Sequence, residues 1–297
     1  MTDNQALIQS QHSAEVERGE RFPFGKNWTL FLANLNESRI ETAIESLRAM
    51  LGREDLKGLD FIDIGSGSGL FSLAAYRLGA TVTSFDYDTD SYRCTAELQR
   101  RYAAGDESRW LVIQGSVLDE PFMQSLGTYD IVYSWGVLHH TGSMWRAIEA
   151  ASNAVRRDGR LFIAIYNDQG PWSRYWTAVK RFYNRGKLHQ WAVQAVFMTY
   201  WAVRGLIVDL VRRKNPRQRY QEYKADRGMS VRHDWKDWLG GYPFEVASPE
   251  AVFDFCQARG FSLSKLKTRG GTVGCNEFVF VHTEPLASRP SPERAHT

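Results

Sequence analysis

At 297 residues, 43% of them apolar, the chain is long enough for one large α/β domain with an elaboration and a sizeable core. Three cysteines, Cys94, Cys256 and Cys275, show no C-x-x-C pairing, so neither a disulfide framework nor a structural zinc site is indicated. The expectation is a soluble enzyme of a reducing cytoplasm, because Asp3, His12, Glu15 and Glu17 leave no basic apolar leader at the amino terminus. Net charge is only +3, yet 15 Lys or Arg face 7 Asp or Glu between Asn167 and Glu245. That segment carries no recognisable RNA or DNA module, and no nucleic-acid partner is expected.

Residues 1–51 read as an N-terminal helical cap, with an aromatic and basic stretch, Arg21-Phe22-Pro23-Phe24-Gly25-Lys26-Asn27-Trp28, before a helical pattern over 36–50. An apolar run at 59–64 predicts the first strand, which carries Asp63 and passes into Gly65-Ser66-Gly67-Ser68-Gly69. Glycines at 65, 67 and 69 allow a sharp bend and a close backbone approach to a ligand, and the helix opening near Leu70 aims its N–H groups at the same space. The spacing is not the dinucleotide G-x-G-x-x-G, since Leu70 stands in place of its third glycine. Ordinary strand-to-helix turns also use glycine.

A second strand at 81–86 ends in Asp86, 17 residues after Gly69, where an acid can accept both hydroxyls of a ribose. Taken alone, Asp86 would read as a turn or capping acid before the helix at about 90–103. Further strands are predicted at 110–114, 129–134 and 160–165, and their alternation with helices means a parallel, doubly wound sheet. The third is followed by Gly115-Ser116-Val117. The fourth runs through Tyr133-Ser134-Trp135-Gly136-Val137-Leu138-His139-His140, and the fifth ends at Tyr166-Asn167-Asp168.

An insertion at 167–247, far longer than an ordinary loop, then begins at the carboxyl edge of the sheet. Trp172, Trp176, Val179 and Tyr183 recur at helical spacing, and the segment reads as a helical lid rich in aromatic and basic residues, most of whose rings must form its own core. Residues 191–211 are nearly apolar and long enough to span a bilayer, but Gln194, Arg204 and Asp209 interrupt them. Arg212, Arg213, Lys214, Arg217 and Arg219 follow, so this helix is either a buried lid element with a solvated basic end, a peripheral membrane contact or a dimer contact. Strands six and seven, at 262–267 and 277–282, are joined by too few residues for a crossover and must pair antiparallel. Their glycine-rich loop would hang at the ligand-binding edge and bring Asn276 and Glu277 to the site, or would simply be a hairpin turn. Residues 284–297 read as a flexible tail.

Asp63, Gly65, Gly67, Gly69 and Asp86, with Gly115-Ser116-Val117 and the stretch from Tyr129 to His140, resemble the class I S-adenosylmethionine-dependent methyltransferases. The resemblance covers 55–166 and resumes at 248–283. It implies a Rossmann-like doubly wound seven-stranded sheet with an antiparallel last strand, and a cofactor core at 52–166 and 248–283. It further implies that Asp63, Gly65, Ser66, Gly67 and Gly69 form the cofactor grip. Asp86 with Tyr87 would hold the ribose and Ser116 with Val117 the adenine, while the backbone near Ser134 and Trp135 would hold the methionine amino group. The family often has an acid where Ser116 stands. Lys26 or Asn27, in a segment that folds over the cofactor in related enzymes, would reach the methionine carboxylate.

His139 and His140 are the first candidates for a base, because imidazole takes a proton near neutral pH, and at most one is expected to be catalytic. Asn167 and Tyr175 follow as further catalytic candidates, and Asp168 and Arg174 as groups that orient a substrate. No grouped metal ligands occur, and His233-Asp234 alone makes no metal site. Three activities stay open: methyl transfer to a small-molecule acceptor under the lid, cyclisation of S-adenosylmethionine as in the azetidine-2-carboxylate synthases that the chain also resembles, and non-catalytic binding at a membrane surface.

Overall fold

The computed structural model describes residues 3–211, 215, 231–270 and 274–283. The expectations for the Lys26 and Asn27 side chains, for Arg212, Arg213, Lys214, Arg217 and Arg219, and for the tail at 284–297 lie outside the described residues.

Seven strands form one sheet: β1 (Asp60–Ile64), β2 (Thr81–Asp86), β3 (Trp110–Gln114), β4 (Tyr129–Trp135), β5 (Val155–Tyr166), β6 (Phe261–Lys267) and β7 (Cys275–His282). Their order is β3-β2-β1-β4-β5-β7-β6. The first five pair in parallel, and β7 runs antiparallel to both β5 and β6. The order reverses between β1 and β4, which opens a crevice at their carboxyl ends, the place where ligands of open α/β sheets bind.

Alternation along the strands divides the core between two faces. Phe61, Tyr133 and Phe162 pack with Leu47, Leu73 and Leu98 of α3 (Glu37–Leu51), α4 (Leu70–Arg77) and α5 (Thr89–Tyr102). Ile62, Ile64, Val132 and Ile163 pack with Met123, Ile148 and Val252 of α6 (Glu120–Leu126), α7 (Met144–Asn153) and α11 (Pro249–Gln257). The helix ends carry their own signals. Asn36 accepts the Arg39 N–H at the start of α3 and Gly52 closes it in the left-handed conformation, while Ser248 caps α11 ahead of Pro249.

β5 begins earlier than the apolar run at 160–165 predicts. Val155 pairs with Tyr129, and Arg156 bridges Asp130 at 2.8 Å and Asp60 at 2.6 Å, tying together the amino ends of three strands. Two further helices, α1 (Asp3–Glu17) and α2 (Gly25–Ala33), precede the sheet. Between β5 and α11 the insertion folds as α8 (Pro171–Tyr183), α9 (Lys187–Val211) and α10 (Val231–Gly240). Its core is small: Tyr183, Val193 and Leu239, joined by Trp176, Phe197, Trp201, Trp238 and Phe22 from the N-terminal segment.

Candidate active site

The turn after β1 is shaped by three glycines with φ of 75°, 55° and 78° at Gly65, Gly67 and Gly69. A Cβ on Gly65 would lie 2.3 Å from a Val137 methyl, and one on Gly67 would lie 3.1 Å from the Trp28 indole, so the backbone passes where no side chain has room. Gly65 and Ser66 donate their N–H groups to the Phe85 carbonyl, and Gly67 donates to Asp86 Oδ2 at 2.9 Å. The second Asp86 oxygen accepts the Asp88 N–H at 2.9 Å. Each carboxylate oxygen therefore holds one backbone donor, and a carboxylate oxygen has lone-pair capacity for a second. Burial, with Asp88 nearby, raises Asp86 to a pKa of about 7.

Two residues expected to grip the cofactor are turned toward structural partners. Asp63 accepts the Ser72 hydroxyl at 2.5 Å, Ser72 accepts from Ser84 at 2.8 Å, and Ser84 accepts the Trp110 indole N–H at 2.9 Å. This buried relay clamps α4 to β1, β2 and β3, and burial raises Asp63 to about 7. Ser66 lies 2.9 Å from the Thr95 hydroxyl on α5. Ser134 donates to the Ile64 carbonyl and is fully buried, so its side chain braces β4 against β1, while Trp135 is half-exposed at the end of β4. Ser116 closes its own turn by accepting the Leu118 N–H, and Val117 is buried with Phe85 and Met123.

The N-terminal segment straps this edge. Tyr87 donates to Glu15 at 3.1 Å and carries the Arg21 guanidinium 4.9 Å above its ring. Arg21 also donates to Glu15 and, at 3.0 Å, to the His140 carbonyl. Asp88 accepts the Gly25 N–H at 3.0 Å and lies 3.4 Å from His12. The strap thus links the end of β2 to the segment after β4.

His139 and His140 lie in a single 3-10 turn over Leu138–His140. Both are buried, with His139 packed edge-on to His140 at 4.5 Å and tilted against Tyr166 at 4.2 Å. His139 Nδ1 accepts the Tyr166 N–H at 3.4 Å. His140 Nδ1 lies 2.5 Å from the Pro243 carbonyl, which can only accept, so that nitrogen carries the hydrogen and Nε2 the lone pair. Burial holds His139 well below the ordinary imidazole range and His140 at about 3, and the charge of Lys180 pushes both the same way. At neutral pH both rings are uncharged, better suited to orienting a hydroxyl than to storing its proton.

Asn167 accepts the Asn276 side-chain N–H at 3.0 Å, joining the ends of β5 and β7, and buried Glu277 lies 3.3 Å from Lys267. Asp168 accepts the Gly170 N–H in a tight turn before α8. Arg174 and Tyr175 do not join the cluster. α8 starts at Pro171, and its phase turns Trp176, Lys180 and Tyr183 inward while Arg174 and Tyr175 stay exposed.

Lys180 is the residue that sequence reasoning missed. It is fully buried, donates to the Trp238 carbonyl, and lies 4.1 Å from the Trp238 ring and 4.7 Å from the Phe244 ring. The signal was a lysine four residues after Trp176, inside an apolar helical stripe. Tyr166 meets the same aromatic pair, 5.8 Å from Trp238 and 5.0 Å from Phe244. Among the described residues no group of three or more His, Cys, Asp or Glu side chains could hold a metal ion.

A sheet of this topology, with a glycine turn and a strand-end acid at its switch point, is a Rossmann-like doubly wound fold. Residues 35–223 match the methyltransferase domain family, and the chain belongs to it. S-adenosylmethionine is the cofactor of that class, and Asp86, beside the glycine turn, keeps lone-pair capacity for a ligand. The chain is similar to the ubiquinone biosynthesis O-methyltransferase of Vibrio parahaemolyticus, 25% identical over 136 residues that cover 46% of this chain and 53% of that one. The corresponding Methylobacterium protein is 32% identical over 120 residues, covering 40% and 46%. The chain thus spans about half the length of the curated relatives it matches. Among solved structures, the 1,6-didemethyltoxoflavin-N1-methyltransferase of Burkholderia thailandensis is 15% identical with a TM-score of 0.48, covering 95% of this chain and 90% of that one. The family match and the curated relatives favour neither cyclisation nor a non-catalytic role.

Proposed function

We propose that the chain transfers the methyl group of S-adenosylmethionine to an oxygen of a small-molecule acceptor enclosed beneath α8 and α10, in the cytoplasm. The observation that carries this reading is the convergence of His139, His140, Tyr166 and Lys180 with the Trp238 and Phe244 rings at the carboxyl edge, beside the glycine turn. When bound, the cofactor supplies an electrophilic methyl carbon; the chain's own task is to position an acceptor and exclude water. Orientation of this kind supplies roughly 7 to 11 kcal/mol in well-arranged systems.

The neutral rings and the nearby cation divide the remaining work. His140 keeps its hydrogen on Nδ1 against Pro243, which leaves Nε2 as an acceptor that orients a hydroxyl. The Lys180 ammonium, whose field lowers both histidines, also favours an acceptor oxygen that has lost its proton. Such a site suits a phenolic or enolic hydroxyl, acidic enough to ionise beside a cation. The oxygen preference follows the names of the curated relatives, and nitrogen or carbon acceptors belong to the same class of chemistry.

The test is a product analysis. Purified protein with S-adenosylmethionine alone should stay idle, and S-adenosylhomocysteine should accumulate when a phenolic acceptor is supplied. Rapid methylthioadenosine without any acceptor would overturn methyl transfer and restore cyclisation.

A further inference from the structure

We propose that the outward face of α9 docks this chain on the surface of an anionic lipid bilayer, with the helix lying in the interfacial plane. Helix α9 is long and apolar enough to cross a membrane by length and composition, yet only 11% of its most apolar window is buried. Trp191, Val196, Tyr200, Val203, Ile207 and Leu210 are all exposed, Trp191 at 70% and Leu210 at 66%. At 100° per residue Val196, Tyr200, Val203, Ile207 and Leu210 fall within about 80° of one another on one side of the helix. The opposite side belongs to the protein: Val193 is buried with Leu239, Phe197 meets Trp176 at 5.2 Å, and Trp201 meets Trp235 at 5.2 Å.

Charge identifies the occupant. From residue 169 to residue 208 the sequence has no Asp or Glu at all, against Arg174, Lys180, Arg181, Arg185, Lys187 and Arg204. Of these, Arg181, Lys187 and Arg204 are exposed, whereas the next acid, Asp209, is buried. Arg212, Arg213 and Lys214 follow Val211 directly in the sequence. An exposed apolar face in a stretch, residues 169 to 211, whose exposed charges are all cations matches a layer of acyl chains beneath anionic headgroups. A second copy joined face to face would set the same cations against each other. Crossing the bilayer is disfavoured by Arg204, which would sit in hydrocarbon, and by the side of α9 already packed on α8 and α10.

The test is co-sedimentation of the full chain with vesicles of phosphatidylcholine, alone or mixed with phosphatidylglycerol. The expected result is binding about tenfold tighter to the mixed vesicles at low salt, weakening as salt rises. Ile207→Asp combined with Leu210→Asp should cut that binding by about tenfold or more while turnover of a water-soluble acceptor is kept. Arg181→Ala with Lys187→Ala should remove much of the anionic preference, and this pair decides the matter if the aspartate variant does not fold. No binding to either vesicle at low salt would overturn the proposal. So would undiminished binding by both variants, or vesicle-independent self-association that the aspartate variant abolishes.

Discussion

Asp86 fixes the glycine turn and keeps lone-pair capacity for a ligand at the same time. Asp86→Ala should weaken S-adenosylmethionine binding by at least about tenfold, read by calorimetry; loss of one charge-assisted hydrogen bond is worth roughly 1.5 to 3 kcal/mol. Unchanged affinity would show that the acid serves only the turn. Lys180 gives a second test at this scale. Lys180→Met keeps the length and apolar stem but removes the charge, so the pKa values of His139 and His140 should both rise, followed by NMR of the imidazole resonances. Asp86 was legible in the sequence because its place at a strand end is a matter of spacing. Lys180 was not, since a lysine at an inward helix position is recognised only once the helix phase and its neighbours are known.

Among the elements, strands were read well wherever the apolar run itself defined them, as at β2 and β3, which coincide with the predicted 81–86 and 110–114. β5 and β7 begin earlier than predicted because partners set their starts: Val155 pairs with Tyr129, and Cys275 pairs with Tyr166. Within the insertion the stripe of Trp176, Val179 and Tyr183 was visible and gave the inward phase, whereas Tyr175 and Arg174, expected in the site from their place at the start of the lid, lie off that stripe and stand exposed. The glycine turn offers a prediction of its own. Gly65→Ala combines a left-handed backbone, costing about 1 to 2 kcal/mol for a residue with a Cβ, with a collision against Val137. Val137→Ala in the same chain should recover part of the lost thermal stability and leave the backbone cost, and a double-mutant cycle measures the split.

For the whole molecule, buried titratable groups set opposing slopes of stability with pH. His140 has a folded pKa of about 3, below the ordinary 6.5, so its burial is harmless above pH 6.5 and stability is lost as pH falls from there toward 3. Asp63 has a folded pKa of about 7, above the ordinary 3.8, so stability present at low pH is lost as pH rises from 3.8 through 7. Between pH 3.8 and 6.5 the two slopes oppose and nearly cancel, so these groups leave a broad plateau that falls off toward pH 3 and toward pH 7. Asp63→Asn removes the second slope, and its thermal midpoint relative to the parent should improve steadily from pH 5 to about pH 7 and level off above it. A flat difference across that range would mean that Asp63 ionises freely in the folded chain.

The hydroxyl relay between Asp63 and Trp110 also connects the floor of the cofactor crevice to the outermost parallel strand, through two serines and no backbone group. Any change in the electron density of that carboxylate, whether from a proton or from a ligand settling on the turn above, is passed along as a change in hydrogen-bond polarity. The indole N–H of Trp110 is therefore a built-in spectroscopic reporter, one whose proton resonance should register occupancy of a crevice it never touches.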